Sequence, residues 1–231
     1  IGESNNIIQR TKQHHDQAGD RESWRHNLKN PDTKLYIIGH EHFNKSLTLD
    51  IENRLMHYMM SVDRVKMIHN LRGNPQNKYY PDDELDDIFN KTWEELHTYN
   101  IELFPSEATI KDSALFKASP LHKLTDEQER IKSVIIQRVF EALETGKKNQ
   151  IIFVDGEAGT GKTVLNSSTF YDLYVKSEEE GMEPLKCYMM VNHDEQFTVY
   201  SQIAQKLGLI ERFGEVVYKP TSFINRHSKE D

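Results

Sequence analysis

Residues 151–163, IIFVDGEAGTGKT, run from four apolar side chains into a glycine-rich loop that closes on Lys162 and Thr163. Gly156, Gly161, Lys162 and Thr163 satisfy the spacing G-x-x-x-x-G-K-[ST], and Gly159 is a further glycine inside it. Such a loop suits phosphate. Glycine admits backbone conformations that turn successive amide N–H groups to one side, forming an anion nest where a helix begins. Gly156, Glu157, Ala158, Gly159, Thr160 and Gly161 would line the nest, Lys162 would lie against β and γ phosphates, and the Thr163 hydroxyl would complete a Mg²⁺ site. The plainer alternative is a glycine turn joining a buried strand to a helix. Asp155, directly before the loop, reads as a cap or ion-pair residue.

A second set of residues could act on a phosphodiester. Arg10 and His14 are four positions apart, so both project from one face of a helix. Arg10 can hold a phosphate oxygen bidentately and stabilise the charge that develops in a transition state. Glu52 falls in a helical stripe with Leu49, Met56 and Met59, where a free carboxylate would be desolvated. A bound Mg²⁺ or Mn²⁺ would relieve that cost and polarise the phosphate. The structural alternative is an Arg–Glu ion pair at the edge of a small core, with His14 facing solvent. His40 and His42 have no Cys or His partner at zinc-ligand spacing and read as surface residues.

These residues need elements to position them. Ser4, Asn5 or Asn6 can cap a first helix, and an alternating run over Lys34 to Gly39 reads as a strand. A second helix follows over about Thr48 to Val62. Leu85, Ile88, Phe89, Trp93 and Leu96 recur at helical spacing in an acidic segment, a stripe expected to pack in a core. Phe104 to Pro120 reads as a linker. Thereafter come a helix N-capped by Thr125, with Gln128 in its first turn and Gly146 at its end, and a buried strand Ile151 to Val154. The loop, a helix over Val164 to Ser177, a strand over Leu185 to Val191 and a helix over Gln196 to Leu207 complete the order. Strands alternating with helices predict a parallel sheet whose carboxyl edge holds ligands.

The 231 residues suit one large or two modest domains, and 36% hydrophobic content is enough for packed cores. Net charge is −8 but unevenly spread: residues 1–78 carry +3, residues 79–119 carry −7 and residues 120–231 carry −4. A phosphate-backbone partner would meet the first segment, because attraction follows local charge. No apolar run approaches the roughly 20 residues of a membrane span, so no membrane partner is expected. The single cysteine, Cys187, excludes an internal disulfide and fits a reducing cytoplasm. The chain opens on Ile1-Gly2 and closes on HSKED, so both ends read as cut.

LTDEQERI ahead of GEAGTGKT, the strand CYMMVN and the run KPTSFIN resemble the opening of a superfamily 1 helicase ATPase, most closely the Schlafen-type DNA/RNA helicase domains of bacterial proteins. The resemblance covers about residues 120–231. It implies ATP as ligand and an adenine-reading glutamine, which falls on Gln128; an amide offers a donor and an acceptor side by side. No strand ending in Asp-Glu follows the loop, so binding is better supported than hydrolysis. IGESNNIIQRTKQHH, KLYIIG, DIENRLMHYM and Asn70 resemble the GIY-YIG endonuclease fold without its first strand and both signature tyrosines. That likeness places Arg10 and His14 on its first helix and Glu52 on its metal-binding glutamate.

The expected class is therefore α/β: a small GIY-YIG-like nuclease domain over 1–78, an acidic helical linker over 79–119, and the first part of a RecA-like P-loop NTPase over 120–231. The catalytic candidates are Arg10, His14, Glu52 and Lys162, and the metal candidates Glu52 and Thr163. ATP with Mg²⁺ or Mn²⁺ is the expected cofactor set, and nucleic acid, DNA ahead of RNA, the expected partner. Two other readings stay open: an ATP-gated nucleic-acid sensor whose nuclease fold only binds, and a general P-loop ATPase with a protein-contact domain.

Overall fold

The computed structural model describes residues 30–69, 82–179 and 185–227, with residues 2, 4, 6, 8, 9 and 12 as isolated positions. Ile1, Arg10, His14 and Asn70 lie outside the described residues. Near the start, Ser4 Oγ accepts from Asn6 N and Asn6 Oδ1 from Gln9 N, both at 3.0 Å.

The described elements are α1 (Lys45–Met60), a 3-10 turn (Asp82–Glu84), α2 (Leu85–Tyr99), α3 (Glu107–Asp112), α4 (Ala114–Ala118) and α5 (Asp126–Glu144). They continue with α6 (Lys162–Glu179), β1 (Met189–Met190), α7 (Asp194–Lys206), α8 (Leu209–Phe213), β2 (Val217–Tyr218) and α9 (Pro220–His227). The class is α/β in a loose sense, mostly helical, with one two-stranded parallel sheet among the described residues. Met189 pairs with Val217 and Met190 with Tyr218, and the long return that parallel pairing demands is made by α7 and α8.

Helix α1 feeds two apolar clusters because its sequence carries two stripes. Leu47, Ile51, Leu55 and Tyr58 join Ile88, Phe89, Trp93 and Leu96 of α2, with Phe104 and Ile110. This confirms that the acidic segment's stripe is core. The Tyr58 ring meets Phe89 and Trp93 edge-on, with centroids 4.7 and 4.9 Å apart, and Trp93 Nε1 donates to Pro105 O at 2.8 Å. The other stripe sends Met56 and Met60 into a cluster with Tyr171 and Tyr174 of α6, Met189 of β1, and Tyr200, Ile203 and Ala204 of α7. Buried Lys206 ties the same region together: its Nζ donates to Val62 O at 2.7 Å and its carbonyl accepts from Ile68 N at 2.8 Å. Burial pulls the Lys206 pKa below the ordinary lysine value.

Four expectations are corrected. The stretch from Phe104 to Pro120 is not a bare linker; it folds into α3 and α4, with Ser106 and Ser113 as N-caps and Ile110, Leu115 and Ala118 buried. Helices of five or six residues are too short to display a periodicity. Lys34 to Gly39 forms no ladder among the described residues, although its alternation is real: Tyr36 and Ile38 pack on the α2 cluster, while Leu35 and Ile37 are exposed. The run Ile151 to Val154 is likewise unladdered there, with Ile151 76% and Phe153 89% exposed. An apolar run records a preference for burial, but the neighbouring strand that would satisfy it is a non-local matter. The strand expected over Leu185 to Val191 narrows to β1 for the same reason.

Candidate functional site

Helix α5 approaches the glycine loop with its N-terminus fixed by local chemistry. The Thr125 hydroxyl accepts from Gln128 N at 3.3 Å, and Gln128 Oε1 accepts from Thr125 N at 2.9 Å, a reciprocal capping box. At the other end Gly146, at φ +63°, lets its own N–H reach Leu143 O and Lys147 N reach Ala142 O, the paired bonds of a Schellman stop. The amide of Gln128 has a second task. Its Nε2 donates to Thr160 O in the loop at 2.9 Å.

One turn further along α5, Lys132 fastens the helix to α6. Its Nζ lies 2.9 Å from Asp172 Oδ2, 3.0 Å from Glu129 Oε2 and 3.4 Å from Ser168 Oγ. Burial alone would lower the Lys132 pKa, and the facing Asp172 and Glu129 carboxylates outweigh it, so the ammonium titrates above its ordinary value. Sequence reading missed Lys132 and Asp172. Lys132 stands at i+4 from Gln128 on a face otherwise turned inward, which was a usable signal, whereas Asp172 is distant in sequence and gave none.

The loop itself runs from Asp155 to Gly161. Asp155 Oδ1 accepts from Gly156 N at 2.8 Å. Thr160 Oγ1 donates to Glu157 O at 2.9 Å and closes the turn. Gly159 and Gly161 stand at φ +82° and +81°, a region that side chains rarely tolerate. A Cβ on Gly156 would come within 2.9 Å of Thr160 Oγ1, and one on Gly161 would run into Gln128 Nε2. Lys162 opens α6 and folds back, its Nζ donating to the carbonyls of Gly156 at 2.6 Å and Glu157 at 2.7 Å. Gly161 O accepts from Leu165 N at 2.9 Å as the helix's first turn. Thr163 sits exposed in that turn, and Glu157 and Ala158 are exposed at the loop's crown.

The loop's residues fit a polyphosphate. The glycines are required by conformation and space, the amides sit where α6 begins, and an exposed ammonium lies over the loop on neutral carbonyl oxygens that charged phosphate oxygens would displace. Bound Mg²⁺ would neutralise phosphate charge, and the exposed Thr163 hydroxyl is the group that would help hold it. Among the described residues no group of three or more His, Cys, Asp or Glu side chains is arranged to hold a metal by itself.

Glu52 belongs to a different place. It lies on α1, only 7% exposed, one turn before Met56 and two before Met60. Gln128 and Lys162 are thus drawn to one loop, and Glu52 stands on a helix packed against α2 and α4.

Residues 149–231 match the family described as Schlafen group 3, DNA/RNA helicase domain. This part of the chain is helicase-like. The match takes in the apolar run, the loop, α6, both strands and α9, and it does not reach residues 1–148, where the endonuclease resemblance lies. The uncharacterized protein YPL245W of Saccharomyces cerevisiae is 30% identical over 115 residues, which cover 46% of this chain and 25% of the yeast protein. The chain thus spans about a quarter of the length of the curated relative that it matches. No solved structure matches. Among the described residues no helix is long and apolar enough to cross a membrane.

Proposed function

We propose that this chain carries the nucleotide-binding part of a nucleic-acid-dependent ATPase and binds ATP or ADP with Mg²⁺ through residues 156–163. The observation that carries this reading is the Lys162 ammonium folded over the Gly156 and Glu157 carbonyls at the start of α6, within a helicase-like region. Lys162 contacts the β and γ phosphates, the amides from Gly156 to Gly161 surround them, and Thr163 joins the metal. Titration calorimetry with MgADP and MgATP should show saturable one-to-one binding; no heat at millimolar nucleotide would overturn the assignment.

Adenine preference comes from Gln128. An amide has two hydrogens on nitrogen and two lone pairs on oxygen. Thr160 O takes one hydrogen and Thr125 N takes one lone pair, which fixes the amide's orientation and leaves one donor and one acceptor for a base edge. Gln128→Ala should therefore narrow the ratio of ATP to GTP affinity, by roughly five-fold for one hydrogen bond. An unchanged ratio would remove base reading from this residue.

A second reading, metal-dependent cleavage of nucleic acid, rests on the burial of the Glu52 carboxylate on an otherwise apolar stripe of α1. Glu52 would hold Mg²⁺ or Mn²⁺ while Arg10 and His14 engage the phosphodiester, and the motor would deliver the strand. On this reading Glu52→Ala abolishes cleavage of labelled DNA or RNA by the full-length protein. Full cleavage by that variant, or cleavage that survives EDTA, would leave a nucleic-acid sensor without nuclease activity.

A further inference from the structure

The Gln128 amide spans two elements that chain order separates, the first turn of α5 and the turn of the glycine loop at Thr160. A trans peptide directs its C=O and N–H to opposite sides. Because Gln128 Nε2 holds the Thr160 carbonyl toward α5 at 2.9 Å, the Gly161 N–H of the same peptide plane is turned away from α5. That peptide plane lies between Thr160, whose hydroxyl closes the turn on Glu157 O, and Gly161, which stands at a positive φ that glycine adopts readily. Gln128 Nε2 also fills the space that a Gly161 side chain would need, so loop and amide are packed as one piece. Below this contact the Lys132–Asp172 pair keeps α5 seated on α6, and the capping box keeps the amide from turning over.

We propose that Gln128 is a positioning residue of the phosphate loop, holding the Thr160–Gly161 peptide so that its N–H remains available to phosphate oxygens, independently of any base. The inference rests on the nucleotide-binding reading and extends it. Base reading and loop positioning use different hydrogens of one Nε2, so they separate when the ligand has no base.

The test is binding of inorganic tripolyphosphate with Mg²⁺ by titration calorimetry, to wild type, Gln128→Ala and Thr125→Ala. Thr125→Ala removes the other half of the capping box while leaving the contact with Thr160, so it controls for fraying of α5. Tripolyphosphate affinity should fall roughly five-fold in Gln128→Ala, the worth of one net hydrogen bond, and stay at the wild-type value in Thr125→Ala. Circular dichroism melts of both variants establish that they are folded. Equal affinity in wild type and Gln128→Ala would overturn the positioning role and leave Gln128 to the base alone. An equal loss in Thr125→Ala would assign the effect to the helix cap and overturn it as well. If wild type binds MgADP but not tripolyphosphate, the positioning role fails while the nucleotide reading stands, and if it binds neither, both fail.

Discussion

Lys162→Ala should weaken MgADP and MgATP binding by roughly a hundredfold, the equivalent of about 3 kcal/mol for lost charge-assisted hydrogen bonds to phosphate. The same change should barely alter folding. Lys162 is exposed, and the Gly156 and Glu157 carbonyls that its ammonium contacts can turn to water when it is removed. A stability change within roughly 0.5 kcal/mol is the ordinary outcome for such a surface position. Calorimetry paired with urea unfolding separates the two effects. Equal nucleotide affinity in the variant would mean that the loop is a structural turn, and the proposed ATPase would lose its central residue. A large loss of stability would mean that the ammonium is a brace for the loop rather than a ligand for phosphate.

The asymmetry follows from the two contacts that Lys162 makes within the loop. Its two carbonyl bonds, at 2.6 and 2.7 Å, occupy the ammonium with neutral acceptors. Phosphate oxygens are charged acceptors and form shorter, stronger bonds, so the exchange favours the ligand. Gly156 and Gly161 are protected by packing as well as by conformation, since a side chain at either would strike Thr160 or Gln128. Sequence reading reached these glycines through the motif and supplied no reason for the particular neighbours.

What was legible in the sequence was local. The Thr125 cap, its reciprocal bond with Gln128 and the stop at Gly146 all lie within α5 and its flanks, and each is a contact between residues three to five apart. The α2 stripe could be read because Ile88, Phe89, Trp93 and Leu96 repeat at the helical period. Glu52, between Leu49 and Met56 on the α1 stripe, is buried. What was not legible was pairing. Ile151 to Val154 looks like a buried strand by composition, yet no described strand pairs with it, and its side chains face solvent. Met56 and Met60 of α1 gave no sign that they would pack with Tyr171 and Tyr174 of α6 rather than beside α2. The contact between Gln128 and Thr160 spans 32 positions, so an amide recognised as a base reader was not recognised as a brace for the loop.

The Lys132–Asp172 pair sets how firmly that brace is mounted, and its removal should have the largest effect on stability of the changes considered. Lys132 is 10% exposed at its side chain and Asp172 24%, so truncating Asp172 leaves an ammonium shielded from water with Glu129 as its remaining carboxylate partner. Asp172→Ala should cost about 3 kcal/mol, typical of a broken buried pair. For a chain of this size that lowers Tm by roughly 10 °C. Replacing both partners with apolar residues of similar volume, Lys132→Met with Asp172→Leu, should restore most of the loss, because the desolvation of two charges disappears together with their attraction. Thermal and urea unfolding of the single and double variants provide the measurement. If the double variant is no more stable than Asp172→Ala alone, the pair contributes net attraction beyond its burial. If Asp172→Ala is neutral, α5 is held on α6 by Ile136 and its apolar neighbours, and the charges are incidental. Should the double variant keep wild-type affinity for tripolyphosphate, the α5–α6 contact need only be firm, not ionic, for Gln128 to hold the Thr160 carbonyl in place.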